Sequence, residues 1–80
     1  MKYNRVLWAS RRGMLELDLI LRPFAEFVYP HLSGAEQKLY RQLLDCEDQD
    51  LFAWLVRRKV PTDGSSADAV KLVLDNLPSE

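Results

Sequence analysis

Apolar residues along this chain recur at three- and four-residue steps and almost never alternate, the pattern of amphipathic helices rather than strands. Asn4 to Arg12 reads as a first short helix with Val6, Leu7 and Ser10 on one side. It stops at Gly13, the residue best suited to the left-handed conformation of a helix C-cap. A second helix begins near Met14 and carries Leu17, Ile20, Leu21, Phe24 and Val28 on one stripe. Pro23 falls inside that stripe. It removes a backbone donor and crowds the preceding turn, so the pattern predicts a helix kinked or split there, running to about Tyr29 and ended by Pro30.

Ser33-Gly34-Ala35-Glu36 is a capping box, in which each end residue satisfies the other's backbone N–H. It predicts a third helix over about Gly34 to Cys46 that buries Leu39, Tyr40, Leu43 and Leu44. Asp48 follows as the candidate N-cap of a fourth helix holding Leu51, Phe52, Trp54 and Leu55, with Trp54 expected in the core. Arg57, Arg58 and Lys59 lie at its C-terminal end, where cations complement the helix dipole. Pro61 to Gly64 is turn chemistry, and Ser65 with Asp68 marks the start of a last helix through Val70, Val73, Leu74 and Leu77. Pro78 to Glu80 are expected to fray. The expected fold is all-α: a small bundle of about five short helices, one domain over residues 1–80 with an ordered core of about 3–77.

With 80 residues, 48% of them hydrophobic, the chain has enough apolar surface for a compact core but only a thin one. The net charge of −1 gives no general attraction to nucleic acid or anionic membrane. Locally the charge is uneven. Lys2, Arg5, Arg11, Arg12 and Arg22 outnumber Glu16 and Asp18 early in the chain, whereas Asp45, Glu47, Asp48 and Asp50 cluster later. Such a polarised molecule suits oriented docking on a protein.

Candidate chemistry is sparse. The single Cys46 permits no internal disulfide, suits a reducing compartment, and reads as a small buried hydrophobe; with His31 also alone, no zinc cluster or Cys–His pair assembles locally. Glu16 and Asp18 stand two apart and diverge on a helix, so they make no acid/base pair. The longest apolar run, Leu51 to Val56, is six residues, far short of a membrane span, and no targeting segment precedes the domain. A soluble cytoplasmic protein is expected. The helix after Gly13 presents Glu16, Asp18 and leucines instead of base-reading side chains, so the superficial helix-turn-helix order does not point to nucleic acid.

"WASRRGMLELDLIL", residues 8 to 21, resembles the small FAD-assembly factors of succinate dehydrogenase, the bacterial flavinators and their mitochondrial counterpart. Their R-G-x-x-E hallmark is matched by Arg12, Gly13 and Glu16, within a wider setting completed by Arg11, Leu17 and Asp18. "LLDCEDQDLFAWLV", residues 43 to 56, is similar to the second family signature, and the resemblance covers roughly residues 3 to 77. The departures are Ser10, where many members carry cysteine, and Pro23 in the second helix.

The resemblance implies a non-enzymatic, five-helix assembly factor. It would bind the immature flavoprotein subunit of succinate dehydrogenase, and also that of fumarate reductase, and promote covalent attachment of FAD to a histidine there. FAD would belong to that client, with none bound tightly by the factor itself. The expected client-binding residues are Arg12, Gly13 and Glu16, with Arg11, Trp8, Met14 and Asp18 around them. The physics of the residues leaves alternatives open at these positions. Gly13 and Glu16 also serve as helix cap and dipole partner, Arg12 can pair with Glu16 or with a partner carboxylate, and Trp8 can pack under the turn or face an interface. A free monomer is expected. The competing class is a generic helical adaptor, such as an antitoxin-like partner with no link to flavin.

Overall fold

A computed structural model describes residues 3–77. Five α-helices follow one another: α1 (Tyr3–Ala9), α2 (Leu15–Pro23), α3 (Gly34–Leu44), α4 (Asp48–Leu55) and α5 (Gly64–Asp75). There are no strands among the described residues, as the helical periodicity predicts. Helix α3 packs along α5 and α2 against α4, while α1 lies on the segment that follows α2. The expected fraying of Pro78 to Glu80 lies outside the described residues.

The core is where the stripes meet. Leu17, Leu21 and Phe24 from the second helical stretch, Tyr40, Leu43 and Leu44 from α3, and Leu51 and Leu55 from α4 are buried together with Val70 and Val73 of α5. Tyr40 is the centre of an aromatic group, with ring centroids 4.8 Å from Phe24 and 5.6 Å from Tyr29. Trp54 is only half-buried, packed on the rim of this core instead of inside it. Cys46 is likewise half-buried, and its thiol pKa is pushed up by burial and by the nearby carboxylates of Asp50 and Asp45.

Four local expectations need correction. Helix α1 ends at Ala9, three residues earlier than the periodicity suggests, because Ser10 turns inward and its hydroxyl bonds the Val6 carbonyl at 2.8 Å. The α-helical part of the second helix ends at Pro23, although the chain stays helical to about Tyr29 as the pattern predicts. The chain stays helical through a wider turn, Phe24–Val28, in which the Tyr29 N–H reaches the Phe24 carbonyl, before a short 3₁₀ turn at Tyr29–His31. This π-type turn begins directly after the proline and carries the helical path on without a break. At α4 the N-cap position is Glu47, with no side-chain cap, and Asp48 is the first helical residue. At α5 the cap is Asp63, not Ser65: its carboxylate accepts from the Ser66 N–H at 3.0 Å and from the Ser65 hydroxyl at 2.8 Å. Those hydrogen bonds hold the Asp63 carboxyl below the usual aspartate range. The Ser33–Glu36 capping box of α3 is formed in both directions, at 3.2 Å and 3.0 Å.

Candidate client-binding surface

Residues 10 to 14 form a turn between α1 and α2, and three features shape it. Gly13 takes φ +78°, in the left-handed region that other residues enter at a cost of roughly 1–2 kcal/mol. Met14 is the extended N-cap of α2 and offers no side-chain cap. Asp18, one turn into the helix, supplies the missing acceptor: its carboxylate reaches back to the Arg12 N–H at 2.8 Å.

Arg12 fastens the turn to the far side of the core. Its guanidinium donates to the Leu44 carbonyl at the end of α3 and pairs with the Asp48 carboxylate at the start of α4, N–O 3.5 Å. The Arg12 side chain is only 17% exposed, and its buried Nε has no hydrogen-bond partner, which trims the net gain from the clamp. Residues 11 to 14 are not helical, so the i,i+4 geometry for an Arg12–Glu16 pair does not exist. Asp48 takes that place. Its pairing with Arg12 was invisible in the sequence, where Asp48 looked sufficient as a cap.

Behind the turn, Ser10 is fully buried and its hydroxyl lies 2.6 Å from the Tyr40 hydroxyl, which also donates to the Leu21 carbonyl at 3.4 Å. Burial raises the Tyr40 pKa to about 12, against weaker downward effects of the Ser10 hydrogen bond and of Arg12. This network ties α1, α2 and α3 together directly beneath the turn.

The outer side is different. Gly13 and Glu16 are exposed, and a Cβ built on Gly13 would meet nothing within 4 Å. Glu16 lies in the first turn of α2, where the dipole favours a carboxylate. Trp8 is 69% exposed, with the Arg11 guanidinium 5.3 Å from its ring centroid. Met14 is half-buried against the core. Of the seven residues expected at the site, then, Trp8, Arg11, Gly13 and Glu16 face solvent, and Arg12 and Asp18 are engaged in holding the turn. Leu15, whose place beside the buried leucine face marks it in the sequence as apolar contact area, is exposed beside them, and so is Leu19, which the sequence does not single out. Among the described residues no three His, Cys, Asp or Glu side chains converge to hold a metal ion, and no helix is long and apolar enough to cross a membrane.

The family model described as flavinator of succinate dehydrogenase matches residues 4–76, which spans both signatures and all but the edges of the described fold. The chain belongs to the succinate dehydrogenase flavinator family. Within that family it is 50% identical over 74 residues to the FAD assembly factor SdhE of Pseudomonas savastanoi pv. phaseolicola, covering 92% of this chain and 88% of that one. It is 47% identical over 70 residues to the factor of the same name from Shewanella oneidensis, with 88% and 85% covered. The Yersinia pestis factor is 45% identical over 69 residues, with 86% and 78% covered. Flavinator membership makes the turn at Arg12 to Glu16, which carries the R-G-x-x-E hallmark, the first place to look for a working surface.

Proposed function

We propose that this protein is a FAD assembly factor for succinate dehydrogenase. It binds the flavoprotein subunit before flavin attachment and promotes covalent bonding of FAD to a histidine of that subunit, and the corresponding fumarate reductase subunit is a second client. It acts as a cytoplasmic, non-catalytic partner, and the chemistry of the bond belongs to the client and the flavin. Beyond family membership, one observation supports this reading: the motif turn is clamped from inside while Gly13 and Glu16 stay open outside.

That arrangement suits a holding role. Gly13 leaves room for a client backbone to approach the turn closely, and Glu16 places a fixed negative charge beside it. Arg12 contributes through the turn it holds, since its guanidinium is already committed to Leu44 and Asp48. A turn that is rigid before binding loses little entropy on docking and imposes its own shape on a mobile client.

The test is reconstitution of apo flavoprotein subunit, FAD and this protein, read by in-gel fluorescence of covalent flavin. Glu16→Ala should fold normally and fail to stimulate flavinylation at any concentration. Full stimulation by that variant would remove the role assigned to the motif, and failure of the wild-type protein to bind or stimulate the subunit would favour the unrelated helical adaptor.

A further inference from the structure

Helix α2 is apolar on two sides. Leu17 and Leu21 are fully buried, yet Leu15 and Leu19, one turn apart, are 69% and 66% exposed and stand outside the core. At about 100° per residue, Leu15, Leu19, Arg22 and Glu26 fall on one stripe opposite Leu17, Leu21 and Phe24. A helix that needed only to fold would place polar residues there.

Two shallow clefts run along this stripe. One is lined by Leu7, Trp8 and Arg11, the other by Leu15, Asp18, Leu19 and Pro23, and both share Arg22 and Glu26. Those two shared side chains pair at 3.9 Å and border both clefts. Trp8, Leu15 and Leu19 are three of the five large apolar side chains exposed among the described residues, and they edge one continuous surface. It begins at the Gly13 turn, because Leu15 directly precedes Glu16.

We propose that this stripe is a second part of the client interface, carrying the contact from the Gly13–Glu16 turn along the outer side of α2. The occupant is a segment of the flavoprotein subunit that sets aliphatic side chains into the two clefts and a carboxylate against Arg22. The inference rests on the function proposed above. Three observations favour this occupant. The stripe is continuous with the motif turn. Its mixture of tryptophan, arginine and leucine, with Arg11 stacked on Trp8, is of the kind that concentrates binding energy in protein interfaces. The Arg22–Glu26 pair is exposed and long, so Arg22 turns to a partner carboxylate at little cost.

The experiment titrates three variants of the full chain against apo flavoprotein subunit and FAD, with covalent flavin fluorescence as the readout. Leu15→Ser/Leu19→Ser should raise the half-saturating concentration by about 10- to 100-fold, with the plateau rate retained. Arg22→Glu should raise it several-fold in the same way, whereas Glu16→Ala should lose the plateau. If the leucine variant melts early, Arg22→Glu alone carries the test. Unchanged half-saturation in the leucine and Arg22 variants, with Glu16→Ala inactive, overturns the stripe and leaves the proposed function standing. Wild-type behaviour of all three overturns the stripe together with the role assigned to the motif turn, whereas failure of the wild-type protein to stimulate flavinylation overturns the proposed function itself. A concentration-dependent dimer in sedimentation, abolished by Leu15→Ser/Leu19→Ser, would give the stripe to a second copy and also overturn the inference.

Discussion

Replacing Arg12 by alanine should unfold this protein at a much lower temperature, even though Arg12 belongs to the motif that carries the resemblance to the family. The guanidinium donates to the Leu44 carbonyl and faces Asp48 at 3.5 Å, with the Arg12 side chain 17% and the Asp48 side chain 37% exposed. Loss of a charged donor to a buried carbonyl costs about 1.5–3 kcal/mol. The partly exposed ion pair adds at most about 1 kcal/mol, and the packed alkyl stem contributes as well. A total of about 2–4 kcal/mol is a large share of the stability of so small a chain and corresponds to a fall in Tm on the order of 10–20 °C. Asp48→Asn removes only the ion pair and should cost about 1 kcal/mol or less. Circular dichroism melts and urea titrations of Arg12→Ala, Arg12→Lys, Asp48→Asn and Glu16→Ala measure this directly. The clamp is refuted if Arg12→Ala melts with the wild type, or if Asp48→Asn is as damaging as Arg12→Ala. Glu16→Ala, on the open side, should melt unchanged.

Gly13→Asn tests the other half of the turn: asparagine tolerates positive φ and meets open space, so Tm should fall only slightly, while flavinylation should drop sharply because the side chain occupies the client's approach. Tyr40 predicts an alkaline limb. Its pKa is about 12 when folded against 10.0 ordinarily, so the folded state holds the proton more tightly; stability is full below pH 10.0 and declines towards about pH 12, by about 2–3 kcal/mol. Urea midpoints across that window should fall less steeply for Tyr40→Phe than for the wild type. Arg58, in the loop three residues past the end of α4, has φ 60°, and Arg58→Gly should raise Tm by a few degrees, by about 0.5–1 kcal/mol, in a thermal melt.

The parts of the fold written in single side chains were legible in the sequence. The stripe of α2, the capping box of α3 and a left-handed glycine ahead of α2 all follow from local spacing, although α1 ends four residues before that glycine. Misplaced features depend on choices between near-equal local options. Asp63 and Ser65 are both good caps two residues apart, and only the turn geometry decides between them. Pro23 forbids one hydrogen bond, but whether the helix kinks, splits or widens depends on what α2 and α3 pack against. Arg58 as the left-handed residue carries no compositional signal, since glycine would be expected there.

At the candidate site the limit was different in kind. Arg12, Gly13 and Glu16 read as three neighbours on one exposed turn, because sequence spacing says nothing about a partner thirty residues away. The contacts with Leu44 and Asp48 send Arg12 inward and leave its two motif companions outside. A thin core explains why a charged side chain holds the turn. Beneath the α1–α2 junction the buried contact is polar, with the Ser10 and Tyr40 hydroxyls 2.6 Å apart where apolar packing would otherwise hold the turn. A guanidinium that spans α3 and α4 from the turn fixes direction as well as distance, which a leucine could not do. The same directionality is what a docking surface requires. Gly13 can offer a close approach only if the turn does not yield when the client presses on it, so the inward arginine and the outward glutamate belong to one device, with stability and recognition divided between them.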